Sequence, residues 1–136
     1  MSETAKIKNL WGDLPLQENI RTPYVILKEQ GSILTEATDG LLIGEVKNIG
    51  NYKNHLECHL IIKAPSINNY TVNIVNLSYP ETMYPLEIRS SFLSGFSSKC
   101  NNEEELENAL NQILSSAEVR RIISGLLSEI RADAEK

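Results

Sequence analysis

The feature that most constrains this sequence is a run of strand-like segments joined by short turns. Two turns rich in Gly, Asn and Pro, GNYKN and PSINN, separate segments in which apolar and polar residues alternate. Turns this short leave no room for a crossover helix, so the strands are expected to pair antiparallel as a meander. The predicted strands are residues 41–49, 55–64 and 70–79, with a short fourth strand at an edge over 86–90, and residues 91–102 are predicted to form a loop.

Amphipathic patterns predict helices on both sides of these strands. The first helix is predicted over residues 21–40, with Thr22 as its N-cap. Two further helices close the chain, the first capped by Asn102 and the second by Ser115, each followed three residues later by a glutamate. The element order is α-β-β-β-(β)-α-α. The fold class is therefore α+β: a three- to four-stranded antiparallel meander that carries one N-terminal and two C-terminal helices.

Two glycines lie inside predicted helices, where each costs about 1 kcal/mol relative to Ala. Gly31, in the first helix, either marks the close approach of another backbone or is simply tolerated. Gly125, in the last helix, would allow a second helix to approach closely. The apolar residues expected to be buried together are Leu56, Leu60, Ile62, Leu110, Ile122, Ile123 and Leu126.

The N-terminal residues show only weak periodicity. Residues 1–21 are predicted to be an arm and residues 22–136 a single domain, which suits a chain of 136 residues. The arm contains the only tryptophan, Trp11, followed closely by Leu14. Either these two side chains pin the arm onto the domain, or they form an exposed anchor for a partner, since Trp is enriched at binding hot spots.

Composition argues against binding to nucleic acid or a membrane. The formal net charge is −5 and no segment is a basic patch, so a cationic face for a phosphate backbone is not expected unless folding gathers Arg and Lys residues from separate segments. No apolar run is long enough to span a bilayer, and the N-terminus lacks the pattern of a signal peptide. We therefore expect a cytoplasmic protein in which Cys58 and Cys100 are free thiols.

Both histidines lie in one predicted strand, HLECHLIIKA. Because side chains alternate along a strand, Cys58 shares the apolar core face, whereas His55, Glu57 and His59 share the opposite face, which we call the histidine face. The two histidines are about 13 Å apart on such a strand, too far for both to bind one zinc ion at about 2.1 Å. We therefore expect a solvated outer face and no metal. If a metal were bound, its ligands would come from this face, as the pair His55–Glu57 or the pair Glu57–His59, with a third ligand from a neighbouring strand.

Other catalytic patterns are missing from the sequence. It contains no P-loop and no G-x-S-x-G motif. A Cys–His dyad would require Cys100 to meet His55 or His59, in a geometry that the spacing does not define. The glutamates at 103–105 are explained by the first turn of a helix, where the macrodipole favours negative charge. No cofactor is expected.

Two resemblances bear on function. The element order resembles that of double-stranded-RNA-binding domains, in which the second helix opens with lysines that contact phosphate; here it opens with NNEEELE, so RNA binding is not implied. The segment TPYVILKEQGSILTEATDGLLIGEV, residues 22–46, and the closing helix pair are similar to a family of small bacterial proteins. That similarity implies a bacterial, cytoplasmic setting and brings no activity and no site residues with it.

The sequence favours a non-enzymatic protein-interaction module, in the manner of an adaptor, an inhibitor or an antitoxin. Its expected partner is another protein or a second copy of itself, in a homodimer formed through a strand edge or the last helix pair. The residues predicted to contact a partner are Trp11, Leu14, Tyr24 and Tyr84.

Two alternatives remain open. The first is a small-molecule-binding domain with a pocket between the sheet and the first helix, near Tyr24, Gly31, Tyr70 and Tyr84. The second is a metal-dependent hydrolase that uses the histidine face.

Overall fold

The structure, a computed structural model, describes residues 7–52, 54–93 and 96–134. It has the expected α+β architecture, with one helix before an antiparallel sheet and two helices after it. The helices are α1 (Pro23–Ala37), α2 (Glu103–Leu114) and α3 (Ala117–Ala134). The strands are β1 (Ile43–Tyr52), β2 (His55–Ala64), β3 (Tyr70–Tyr79), β4 (Leu86–Ser90) and β5 (Phe96–Cys100).

The five strands form one sheet in the order β1-β2-β3-β4-β5, each antiparallel to the next. The strands β2, β3 and β4 begin and end where the sequence pattern placed them. The loop predicted over residues 91–102 is wrong, because β5 lies within it and pairs with β4, with Leu86 opposite Cys100. The strand β4 is therefore an interior strand, and β1 and β5 are the sheet edges.

The core is built around β2. Cys58, Leu60 and Ile62 are almost fully buried, and the last two pack against the helices, as the alternation predicted. Leu56 shares that face but lies near the beginning of the strand and is 40% exposed. Its predicted burial is wrong, because the helical cover does not extend over that end of the strand.

A β-bulge changes the face that β3 presents. Leu60 lies opposite Val75 and Ile61 lies opposite Asn73, which leaves Ile74 without a partner across β2. As a result the successive residues Ile74 and Val75 are both buried in the core. The bulge also leaves Asn73 on the far face of the sheet, where it reaches the histidine face.

The helix α1 is fastened tightly to the edge strand β1. Thr22 caps it as predicted, accepting a hydrogen bond from the Val25 backbone N–H at 3.2 Å. In its middle the backbones of Gly31 and Gly44 touch: a Cβ placed on Gly31 would lie 2.6 Å from the Gly44 carbonyl oxygen. The Gly44 N–H also donates to Thr35 Oγ1 at 2.9 Å. Of the two alternatives for Gly31, close backbone approach is the one found.

The last two helices begin with side-chain caps. Asn102 Oδ1 accepts from the Glu105 backbone N–H at 2.9 Å, as predicted for α2. The cap of α3 is Ser116, which accepts from the Val119 N–H at 3.2 Å. The predicted cap, Ser115, instead ends α2. Either serine could accept a hydrogen bond from the first turn of α3, and the bend between the two helices determines which one does. The predicted cap is therefore one residue too early.

The helix α3 is less buried than its apolar stripe predicted. Val119 and Ile130 are buried, but three residues expected in the core are only half-buried; these are Ile122, Ile123 and Leu126. Gly125 is exposed, and a Cβ placed on it would meet nothing within 4 Å. Part of the apolar surface of α3 therefore stays open. No helix in the described ranges is long and apolar enough to cross a membrane.

Candidate functional site

The histidine face lies on the side of the sheet opposite the helices, as predicted. Here β2 supplies His55, Glu57 and His59, while its core side chains point the other way. His55 is exposed, and the side chains of Glu57 and His59 are each 20% exposed. The strand register places Lys47 on one side of His59 and Asn76 on the other.

Each histidine has its own neutral partner. His55 Nδ1 lies 3.3 Å from Ser78 Oγ, and His59 Nδ1 lies 3.1 Å from the Asn73 amide nitrogen. An amide nitrogen donates, so this contact fits the His59 tautomer that accepts at Nδ1 and carries its proton on Nε2. That nitrogen is 3.6 Å from Glu57 Oε2, an electrostatic contact that is too long for a hydrogen bond.

The histidine face does not assemble a set of metal ligands. His59 Nε2 and Asn76 Oδ1, at paired positions of β2 and β3, are buried and have no hydrogen-bond partner. Within residues 7–52, 54–93 and 96–134, no three His, Cys, Asp or Glu side chains come together so that they could hold a metal ion. The face offers one His–Glu contact, one His–Asn hydrogen bond and the unpartnered amide oxygen of Asn76.

The two cysteines are buried on the other side of the sheet from the histidines. Cys58 Sγ lies 3.9 Å from Tyr79 Oη, and burial raises the pKa of its thiol to about 11. Burial also raises the pKa of the Cys100 thiol. Cys100 faces the core opposite Leu86, so the sheet separates it from both histidines, and the geometry contains no Cys–His dyad.

An apolar cleft lies between α1, the sheet and α3. Its volume is about 240 Å³. Its walls include Gly31, Ile33 and Leu34 of α1, Leu60 and Ile62 of β2, and Ile123 of α3. Among the described residues, Gln30 is the one polar side chain that lines it. Such a cleft suits an apolar group and offers almost nothing to orient a polar one. We refer to it as the α1–α3 cleft.

The tyrosines predicted to share a pocket are not brought together. Of the four residues named for that pocket, the α1–α3 cleft includes only Gly31. Tyr70 begins β3 and is 53% exposed, whereas Tyr84 follows the opposite end of the same ten-residue strand. At about 3.3 Å per residue, those two ends are about 30 Å apart. Tyr24 lies in the first turn of α1, with Lys28 Nζ 5.5 Å from its ring centre.

The N-terminal arm is largely uncovered. Of the two alternatives for Trp11, pinning to the domain is not observed, since the side chain is 79% exposed. Its neighbours Leu10 and Leu16 are 87% and 83% exposed, and Leu14 is 46% exposed. These four side chains, which we call the arm apolar cluster, therefore face solvent. Tyr84, by contrast, is half-buried, and its hydroxyl is buried without a hydrogen-bond partner.

The arm apolar cluster is presented by a local turn. Asn9 Oδ1 accepts a hydrogen bond from the Trp11 backbone N–H at 2.9 Å, and Asn9 Nδ2 donates to the Gly12 carbonyl at 3.2 Å. Gly12 has φ of +73°, a conformation that glycine adopts without strain. One asparagine side chain thus closes the turn and holds Leu10 and Trp11 at its outer side.

Ion pairs of Arg21 hold the base of the arm against the helices α1 and α2. The Arg21 guanidinium forms ion pairs with Glu29 of α1 and with Glu103 and Glu107 of α2. The hydrogen bond from Arg21 lowers the pKa of Glu29. This network joins the arm, α1 and α2. Sequence reasoning did not anticipate it, because Glu103 and Glu107 are 82 and 86 residues from Arg21 along the chain.

Comparison of the chain with protein-family models, with curated proteins and with solved structures gave no match. Strand alternation predicted the side of the sheet on which the histidine face lies, but the sequence did not predict the α1–α3 cleft. The exposed Ile33 at its mouth lies outside the helical stripe that covers the sheet, and this is the one signal that could have indicated the cleft.

Proposed function

We propose that this chain is a non-enzymatic protein-interaction module, adaptor-, inhibitor- or antitoxin-like in kind, and that its N-terminal arm is the segment that binds. The observation that supports this proposal is the exposure of the arm apolar cluster on an ordered turn. Trp is among the residues most enriched at protein-binding hot spots, and Trp11 is 79% exposed.

The energetics of burying the cluster favour a protein partner. A Trp side chain buries roughly 150–250 Å². At about 25 cal/mol per Å², its transfer from water is worth roughly 4–6 kcal/mol before ordering costs. The turn closed by Asn9 already fixes the backbone around Trp11, which reduces those costs.

The titratable groups support a non-enzymatic role. Both histidines are engaged by neutral partners, and the two thiols are buried with raised pKa values, so neither thiol is an activated nucleophile. The module is further proposed to act in the bacterial cytoplasm. The unpaired state of Cys58 and Cys100 suits a reducing compartment, and the bacterial setting rests on the similarity of residues 22–46.

The proposal is tested by purifying the tagged full chain, with whatever binds it, from the cells that express it. Three forms are compared: the wild type, Trp11→Ala, and Tyr70→Ala as a control at another exposed aromatic residue. A protein partner should accompany the wild type and Tyr70→Ala in a stoichiometric amount and be lost from Trp11→Ala. The purified partner should then bind the wild type and shift its tryptophan emission to shorter wavelength. A partner retained equally by Trp11→Ala would place the binding surface elsewhere.

A second candidate function, small-molecule binding, is favoured by the α1–α3 cleft alone. Because Gln30 is its one polar lining side chain among the described residues, the ligand would have to be almost wholly apolar. Extraction of the purified protein with organic solvent, followed by mass spectrometry, tests this candidate. An apolar molecule present at one per chain would support small-molecule binding, and an extract without such a molecule would contradict it.

A further inference from the structure

This chain exposes an apolar segment and also leaves an apolar cleft open. The arm apolar cluster is uncovered, and at the cleft mouth Ile33 is 60% exposed while Ile123 is half-buried. We propose that the arm of one copy docks in the α1–α3 cleft of a second copy, and that the exchange is reciprocal in a closed two-fold dimer. This inference rests on the proposed function, and it names the partner of the arm.

The cleft matches the arm in size and chemistry. Its volume of about 240 Å³ is that of one or two large apolar side chains, and its walls are apolar apart from Gln30. Leu10 and Trp11 are adjacent and both exposed on the turn closed by Asn9, and they offer aliphatic and ring surfaces that an apolar cleft can cover. Docking them would also cover Ile33.

The part of the arm that follows Leu10 and Trp11 is acidic, and an arginine lies beside the cleft. Between Leu10 and Glu18 the arm carries Asp13 and Glu18 and no basic residue. Beside the α1–α3 cleft, and sharing Gln30 with it, lies a second cleft of about 430 Å³ that contains Arg120 of α3.

The basic side of this second cleft is available for pairing. In the part of the chain that the structure describes, neither Arg120 nor its neighbour Arg121 forms an ion pair. The acidic group in the same cleft, Glu107, is already paired with Arg21 at 2.9 Å. An arm seated in the α1–α3 cleft would therefore bring its two carboxylates toward a free arginine.

The geometry of the chain allows the arm to leave its own domain. Arg21 fixes the base of the arm beside the first turns of α1 and α2, whereas the α1–α3 cleft lies along the C-terminal half of α1. The eleven Cα–Cα steps from Trp11 to Thr22 span up to about 36 Å when extended. Reciprocal exchange leaves no arm and no cleft unpaired, which is the property that closes a two-fold dimer.

The first experiment uses the only tryptophan as a reporter of the arm. Sedimentation equilibrium and tryptophan emission are measured on the purified full chain from low to high micromolar concentration. Trp11 is exposed in the single chain, so we expect solvent-like emission from the 15.3 kDa species. The emission should shift to shorter wavelength in step with a species of twice that mass. A chain that stays monomeric at every concentration overturns the exchange.

The second experiment uses variants that alter exposed residues, so that folding is preserved. Ile33→Glu places a charge at the cleft mouth, and Val25→Glu places the same charge on an exposed position of α1 outside the cleft. The arm variant is Leu10→Ser with Trp11→Ser. We expect Ile33→Glu and the arm variant to weaken dimerisation at least tenfold and Val25→Glu to leave it within about twofold, with all circular dichroism spectra alike.

Mixing the two defective chains separates reciprocal exchange from dimerisation through a different surface. An equimolar mixture of Ile33→Glu and the arm variant retains one good arm and one good cleft, so it should form a mixed dimer although neither chain dimerises well alone. Failure of the mixture to associate overturns the proposal, as does a dimer insensitive to both variants.

The remaining outcomes distinguish this inference from the proposed function. A monomer whose tryptophan emission shifts to longer wavelength on Ile33→Glu would show that the arm docks in its own cleft, which also overturns exchange. A monomer whose arm binds a different protein would overturn the exchange and leave the proposed function standing.

Discussion

Gly31 of α1 and Gly44 of β1 meet backbone to backbone, and this contact sets how closely the first helix approaches the sheet. A Cβ on Gly31 would lie 2.6 Å from the Gly44 carbonyl oxygen, a distance that requires the helix or the strand to move. The cost of about 1 kcal/mol for glycine inside a helix is offset by packing that no larger residue permits.

Replacing Gly31 with Ala should therefore destabilise the protein despite the better helix propensity of Ala. We expect a loss of about 1–3 kcal/mol in the free energy of unfolding, the range for overpacked positions. The matched control is Gly125→Ala in α3, where the added Cβ meets nothing within 4 Å; it should stabilise by about 0.4–1 kcal/mol. Urea denaturation followed by circular dichroism measures both. Equal effects of the two substitutions would contradict the close contact.

Truncating the apolar side chains of the core should lower the free energy of unfolding by an amount that depends on how deeply each side chain is buried. Leu60 is 4% exposed, so Leu60→Ala should cost about 2–5 kcal/mol. Leu56, on the same face of the same strand, is 40% exposed, and its truncation should cost much less. Leu126→Ala should fall between them, because that side chain is half-buried. Chemical denaturation of the three variants gives the order, and a Leu56→Ala cost as large as that of Leu60→Ala would mean that the helices extend over the end of β2.

The strands that the sequence predicts well are those with a strong local pattern. In β2 and β3 the apolar alternation and the flanking turns define both ends, and the same alternation assigns His59 to the outer face. The strand β5, FSSKC, has only Phe96 and Cys100 as apolar residues, and it becomes a strand because β4 offers an open edge beside it. The local sequence pattern therefore predicts the central strands of the sheet, whereas the edge strand β5 forms because it can pair with β4.

The candidate site was predictable only where it depends on one element. The lack of periodicity assigned Trp11 to an arm, but the sequence left open whether that side chain is pinned or exposed, and the structure shows it exposed. The α1–α3 cleft depends instead on the angle at which α3 crosses the sheet, and no local pattern encodes that angle. The predicted pocket failed for the same reason: Tyr70 and Tyr84 were grouped by type, although Tyr70 begins β3 and Tyr84 follows the end of that strand.

Neither thiol should react in the folded protein. Cys58 and Cys100 are each 1% exposed, and burial raises the pKa of Cys58 to about 11 and also raises that of Cys100. At pH 8 both are therefore protonated and shielded, and an aromatic disulfide reagent should modify them only after denaturant is added. The absorbance of the released thiolate follows the reaction. Rapid modification of one cysteine without denaturant would show that β5 or the first half of β2 opens readily.

Replacing Glu29 with a neutral residue should remove a pH-dependent contribution to the free energy of unfolding. The hydrogen bond from Arg21 lowers the pKa of Glu29 in the folded state. A lowered folded pKa contributes stability that is present in full above the unfolded glutamate pKa of about 4.3. That contribution is lost as the pH falls through the lower folded value. Glu29→Gln should therefore be less stable than the wild type at neutral pH, and the difference should shrink in acid.

The control for this charge effect is Glu36→Gln, an exposed glutamate on the same helix that forms no ion pair within the described residues. Its stability should follow that of the wild type across the same pH range. Added salt should also reduce the effect of Glu29→Gln, because the Arg21 pair is partly exposed and ions screen it. Thermal unfolding at several pH values and two salt concentrations measures these differences. A Glu29→Gln deficit that stays constant with both pH and salt would mean that the side chain contributes by packing, and that charge does not hold the base of the arm.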